Sequence, residues 1–190
     1  MGVRILSDKS EQVLLPLKIK NRTMILATDI YYFDDKAKAV AVAFECWTDE
    51  QPTQVFICQL DKVEEYVPGE FYKRELPCIL EVLKQTDLSK VEAIVVDGYV
   101  ILDDNGKIGL GGHLFYALGG TIPIIGVAKT NFARNTLHVV KLYRGDSQRP
   151  LFVTAMGMDV SEAANHIRGM AGEFRLPTLL KEVDKISKDI

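Results

Sequence analysis

The sequence predicts an α/β fold in which three antiparallel strands precede a parallel set, with helices flanking one mixed sheet. Three observations carry that expectation. Three consecutive β-rich runs lie between residues 24 and 60, helical spacing then alternates with short apolar runs, and no Gly-rich loop follows the first strand. The last point sets aside a doubly wound nucleotide-binding fold.

Met24 to Phe33, MILATDIYYF, is apolar on both parities and rich in β-formers, so it reads as a strand buried on two faces, with Asp29 as the anomaly inside it. Asp34-Asp35-Lys36 makes a turn, and Ala37 to Trp47 and Gln54 to Leu60 give the second and third strands. From Tyr66 to Gln85, Tyr72, Leu76, Ile79, Leu80 and Leu83 recur at helical spacing. Pro77 lacks a backbone donor, which predicts a kink or a helix that begins anew with Pro77 in its first turn. Val91 to Gly98, VEAIVVDG, is continuously apolar up to Asp97 and has the look of a central parallel strand. A polar loop and a helix over 109–118 lead to a second such strand, Ile122 to Lys129. Strands at Thr136 to Tyr143 and Leu151 to Thr154 follow, then helices over 160–174 and 178–187. That order matches a ribonuclease H-like architecture.

With 190 residues, 47% hydrophobic and 26% charged, and no repeat or Gly/Ser/Pro linker, residues 1–190 read as one globular domain, with 1–22 as a loosely packed N-terminal extension. No apolar run is long enough to span a bilayer and MGVRILSDKSEQ is not a secretory signal, so a cytoplasmic protein without a membrane partner is expected. Cys46, Cys58 and Cys78 lack CxxC spacing and sit in apolar stretches, which predicts reduced, buried thiols. A net charge of −3 argues against a protein that coats nucleic acid through a broad basic face. It leaves room for a nuclease, whose metal needs local acids and whose substrate needs only a few rim cations.

A carboxylate inside an apolar strand is costly unless partnered, and if the first strand neighbours the one ending at Asp97, Asp29 and Asp97 meet at one spot. A shared Mg²⁺ or Mn²⁺ suits two hard oxygen ligands plus water. The structural alternatives are an amide or Arg partner for Asp29 and a turn cap before Gly98 for Asp97. Glu75, three after Tyr72 and four before Ile79, falls on the apolar stripe of its helix; the alternative is an ion pair with Lys73 or Arg74. Lys129 ends a parallel strand, either as a phosphate contact or as a solvated lysine. His113 follows Gly109-Leu110-Gly111-Gly112 at a helix start, within reach of a phosphate or metal-bound water, whereas His138 and His166 read as packing. The Gly109 to Gly112 segment is a tight turn rather than a phosphate loop, since no Gly-Lys-Ser/Thr follows.

Taken together, Tyr66-Val67-Pro68-Gly69, Phe71 to Pro77 (FYKRELP), Val95-Val96-Asp97-Gly98, Gly109 to His113, Pro123 to Lys129 (PIIGVAK) and Phe174-Arg175-Leu176-Pro177, in this order and spacing, resemble the endonuclease V family over roughly Ile25 to Leu180. The resemblance implies a ribonuclease H-like fold and a Mg²⁺-dependent DNA-repair endonuclease that cuts 3′ to deoxyinosine in DNA, or to inosine in RNA. By matching position, Asp29, Glu75 and Asp97 would be the metal-binding and catalytic acids, with Lys129 supporting the phosphate. Tyr66 and Pro68 would be the wedge that holds the strand open, and Gly98 and His113 further nucleic-acid-binding positions. In that mechanism Asp29 and Asp97 hold the metal while Glu75 orients the attacking water or completes a second metal site.

The chain departs from the family in several places, among them Glu65 at the first wedge position, where the family commonly has proline, and two segments nearer the site. Asp103-Asp104 stands where the family has His-Pro at its base pocket, which predicts weak discrimination of inosine from adenosine. Thr154 to Asp159 lacks the family's histidine, leaving Asp159 as a candidate extra ligand. These departures motivate a second reading, a nucleic-acid-binding relative with weak or no cleavage or a changed lesion specificity.

Overall fold

The computed structural model describes residues 23–61, 70–132 and 135–189. β1 (Met24–Phe33), β2 (Lys36–Phe44) and β3 (Gln54–Leu60) form an antiparallel meander. Helix α1 (Phe71–Leu83) leads to β4 (Val91–Asp97), and α2 (Leu110–Ala117) leads to β5 (Ile124–Ala128). β6 (Val140–Leu142), β7 (Leu151–Met156), α3 (Val160–Gly169) and α4 (Thr178–Lys188) follow. The strands lie in the order β3-β2-β1-β4-β5-β7-β6. β4 runs parallel to both β1 and β5, while β7 is antiparallel to β5 and β6. This is the mixed sheet that the sequence predicts, with β1 and β4 adjacent.

Alternation along the strands decides which side of the sheet each residue serves. Ile25 and Ala27 of β1, Val95 of β4, and Ile125 and Val127 of β5 pack with Ala163 and Ile167 of α3 and Leu179, Leu180 and Val183 of α4. Their neighbours Leu26, Ile94, Val96 and Ile124 pack on the opposite face with Ile79 and Leu83 of α1 and Leu114 of α2. By the same parity Asp29, Asp97 and Lys129 continue the rows that face α3 and α4.

Several expectations are corrected. α1 neither stops nor restarts at Pro77 but runs through it. The exposed proline sacrifices one backbone bond, which the burial of Cys78, Ile79, Val82 and Leu83 against the sheet outweighs. β2 ends at Phe44 rather than Trp47 because the Glu45 and Cys46 amides turn to Asp49 Oδ2, at 3.0 and 2.9 Å. β6 is shorter than expected, since the Thr136 and Leu137 amides are drawn to the Asp104 carboxylate at 2.6 and 2.8 Å. All three cysteines are free as expected, but only Cys78 is buried; Cys46 is exposed in the turn after β2 and Cys58 is half-buried on β3. Among the described residues no helix is long and apolar enough to cross a membrane.

The segment between α3 and α4 is organised by a buried cation. Arg144, 7% exposed, donates to the carbonyls of Arg168, Met170, Gly172 and Phe174, a set that closes the end of α3 and fixes the approach to α4. Arg175 extends the same tie to the sheet by donating to the carbonyls of Lys129 and Pro150. At the other end of α4, Lys38 of β2, 8% exposed, donates to the carbonyls of Ile186 and Asp189, so a cation satisfies the acceptors at the helix C-terminus. Removing Arg144 would take the donor from the buried Met170 carbonyl and from three part-buried ones at once. Arg144→Met is expected to cost about 3–5 kcal/mol in chemical denaturation, by analogy with other buried charged hydrogen-bond networks; a loss under about 1 kcal/mol would show the carbonyls are otherwise satisfied.

Candidate active site

Asp29 sits in β1 opposite Val40, and Asp97 is the last residue of β4. Because β1 and β4 are parallel and paired through Thr28↔Val96, the two aspartates emerge side by side at the carboxyl edge of the sheet. A third carboxylate joins them from α4. Ligand oxygens of Asp29, Asp97 and Asp184 all lie within 4.8 Å of one another. Together with Lys129, Val183 and Leu180 they line a cavity of about 20 Å³, the size of a single ion or water. Glu75 reaches the same edge from α1 and shares with Asp29, Asp97, Thr28 and Leu110 an adjoining cleft of about 260 Å³.

The electrostatics separate these acids into two kinds. Burial, reinforced by Asp97 and Asp29, pushes the Glu75 carboxyl up to about 7. Asp29 is also raised, by burial and by the charges of Asp97 and Asp184, although a hydrogen bond from Ser187 works the other way. Asp184 moves in the opposite direction: burial raises it, but Lys188 at 2.7 Å and Lys129 at 3.7 Å together hold it below the usual carboxylate range. Lys129 Nζ also lies 3.2 Å from Asp97 Oδ2, so one ammonium stands between two acids of the cluster.

Gly98 follows Asp97 at φ +129°, a backbone geometry that an L side chain rarely adopts, and donates its amide to Val127 at 3.1 Å. Across from it, a Cβ on Gly126 would stand 2.6 Å from the Gly98 carbonyl oxygen and 2.9 Å from the Val100 amide nitrogen. Gly98 supplies the positive φ of the turn out of β4, and Gly126 lets that turn pack closely against β5.

His113 lines neither of the cavities that the carboxylates line. Its ring stacks on Tyr72 with centroids 3.5 Å apart and planes 10° apart, and burial lowers its pKa, so the imidazole is neutral near pH 7. The pair lines a cleft of about 520 Å³ with Phe71, Lys107, Leu110 and Phe132. Asp103 and Asp104 do not line this cleft. Asp103 accepts from the Asn105 and Lys107 amides, both at 3.0 Å, within a tight turn, and Asp104 clamps Thr136 and Leu137. Asp159 is corrected as a ligand: it caps α3, accepting from Ser161 and Glu162, at the end of β7 that pairs with the start of β5 and is therefore remote from the carboxyl edge. The Lys73 ammonium lies 2.7 Å from Glu70, and the Arg74 charge acts on Glu75 against the larger effect of its burial. Tyr66 and Pro68 lie outside the described residues.

Sequence reasoning missed Asp184. The signal was present: Asp184 is four residues after Leu180 and Ser187 four after Val183, so both extend the buried stripe of α4.

A mixed sheet in this order, with acids converging at the carboxyl ends of neighbouring strands, places the protein in the ribonuclease H-like class with an acidic centre able to hold a metal. Within that class, the chain belongs to the endonuclease V family, whose family model matches residues 8–152. A curated endonuclease V from Xylella fastidiosa is 31% identical over 132 residues, covering 66% of this chain and 53% of the relative; the chain spans about half the length of the curated relatives it matches. Among solved structures, human ENDOV superposes with a TM-score of 0.71 at 20% identity, covering 88% of this chain and 83% of that one. Endonuclease V of Ciona intestinalis, in complex with DNA containing an inosine followed by a ribo-adenosine, gives 0.71 at 16% identity, covering 90% and 86%.

The position of Glu75 gives the metal-free protein a signature. Its folded pKa near 7 exceeds the ordinary 4.5, so the native state holds the extra proton between those values and stability falls as pH rises through that window. Asp29 shifts with the same sign and Asp184 with the opposite one. In EDTA, melting temperature is expected to decline from about pH 5 to about pH 7.5, and Glu75→Gln to flatten that decline. An unchanged slope in the variant would remove Glu75 from the charged cluster.

Proposed function

We propose that the protein is a metal-dependent endonuclease that hydrolyses a phosphodiester 3′ to deoxyinosine or another altered base in DNA, or to inosine in RNA. The observation that carries this reading is the convergence of Asp29, Asp97 and Asp184 around a cavity of ionic size, beside a cleft reached by Glu75. The donor set fits a hard divalent cation: three carboxylate oxygens, no soft ligand, and a mutual repulsion that only a cation or protons relieve. Asp29, Asp97 and Asp184 would hold Mg²⁺, with Mn²⁺ able to substitute. When bound there, the metal supplies polarisation of the scissile phosphate and a lower pKa for water.

The remaining roles belong to the protein's own side chains. Glu75, poised near neutrality, orients the attacking water and accepts its proton. Lys129, at the rim of the cluster beside Asp97, donates to a phosphate oxygen. The cleft of about 520 Å³ is large enough for a purine and offers the Tyr72–His113 stack as one wall. Tyr66 and Pro68 remain the proposed wedge, and Gly98 lets the backbone approach the substrate. Residues 1–190 act as one domain in this reading, in the cytoplasm and in nucleic-acid repair, which the three free thiols support.

The second reading, binding without efficient cleavage, is favoured by the Thr154 to Asp159 segment, where no histidine is present. Salt-dependent binding without nicking would decide for it.

Nicking of single-inosine oligonucleotides in DNA and RNA, with Mg²⁺ or Mn²⁺, tests the proposal. Asp29→Asn, Asp97→Asn and Asp184→Asn are each expected to lose about a hundredfold or more in rate, as removal of a metal ligand does. Weak discrimination of inosine from adenosine is expected, since Asp103 and Asp104 both accept from backbone amides and offer no donor to a purine keto oxygen; a preference above about a hundredfold, or roughly 2.7 kcal/mol, would show a base pocket built from other donors. Failure to nick any inosine, abasic or mismatched substrate would overturn the nuclease reading.

A further inference from the structure

Ser187 occupies a place on α4 that the helix pattern reserves for an apolar residue. It follows Leu179, Leu180 and Val183 on the buried stripe and is itself fully buried. A buried hydroxyl must be partnered, and the ordinary partner of a helical serine is a carbonyl one turn back. Ser187 has that option, the Asp184 carbonyl at 2.8 Å, yet its Oγ also lies against Asp29 Oδ2. A hydroxyl has one proton, and an ionised carboxylate is the stronger acceptor. Among the described residues no other side chain hydrogen-bonds to the Asp29 carboxylate.

Resting on the metal-centre reading above, we propose that Ser187 is a positioning residue of that centre. Its hydroxyl engages one oxygen of Asp29 and leaves the other for the space shared with Asp97 and Asp184. The same helical turn therefore supplies one acid of the cluster and the donor that aims another, because Asp184 and Ser187 are three residues apart on one side of α4. Lys38 fixes that turn from the sheet, since the Ile186 and Asp189 carbonyls it holds flank Ser187. Asp29 and Lys38 lie on the paired strands β1 and β2, so the turn is tied at two points of one hairpin. The side-chain orientation of Asp29 is in this way set by α4 and not by its own strand.

The test is Mn²⁺ binding to the full chain, followed by calorimetry and by the metal-dependent rise in melting temperature. Ser187→Ala is expected to weaken Mn²⁺ about tenfold, the size seen when a residue orienting a metal ligand is lost. Ser187→Thr, which keeps the hydroxyl, is expected to restore affinity to within about threefold if it folds. Lys38→Met serves as the control for helix docking: it should lower the melting temperature in EDTA while shifting Mn²⁺ affinity less than Ser187→Ala does. Equal Mn²⁺ affinity in wild type and Ser187→Ala overturns the positioning role, as does a Lys38→Met loss as large as that of Ser187→Ala. A wild-type chain that binds no Mn²⁺ at all instead overturns the metal-centre reading on which the role rests.

Discussion

Like charges can be held together only on a scaffold that cannot relax, and here the rigidity of α4 is the constraint on which the rest depends. Asp29 and Asp97 stand on paired parallel strands, where backbone hydrogen bonds fix their separation. Asp184 has no such guarantee. It reaches the cluster only if a helix that forms no strand pairing keeps its register against the sheet, and buried cations enforce that register from both ends. Arg144 gathers carbonyls on the approach to α4, and Lys38 gathers carbonyls at its exit. Neither cation pairs with a carboxylate in these contacts. Each is spent on backbone acceptors, which fixes the path of the chain while leaving the acids of the centre free of their compensation.

The charges that do compensate are arranged unevenly. Lys129 and Lys188 stand against Asp97 and Asp184, whereas Asp29 and Glu75 face burial with little cationic help. The outcome is an uneven set of acids at one sheet edge, with Asp184 held low and Glu75 poised within the neutral range. Such a spread is what a centre needs if some carboxylates are to hold a cation while another exchanges a proton.

Much of this was legible in the sequence. The bounds of β1 and β3 follow from their apolar runs, and the β1–β4 neighbourhood follows from the expected strand order, so the meeting of Asp29 and Asp97 could be anticipated. Glu75 was legible because a helix period of 3.6 places it between Tyr72 and Ile79. What escaped were interactions that local periodicity does not encode. Asp184 looks like a surface acid in LLKEVDKISK until the partner of its face is known. Asp104 looks like a rim carboxylate until its loop is found clamping residues 136 and 137, and Asp159 looks like a spare ligand until the antiparallel course of β7 carries it to the far edge of the sheet.

The reach of the contacts between α4 and the first hairpin has a consequence for the birth of the molecule. Asp29 is joined to Ser187 across 158 positions and Lys38 to Asp189 across 151, so the members of each pair are translated at widely separated times. A nascent chain that has already folded its antiparallel meander still has one acid of the cluster unmade and another unaimed. If the centre cuts nucleic acid, it becomes competent only after α4 has left the ribosome and docked.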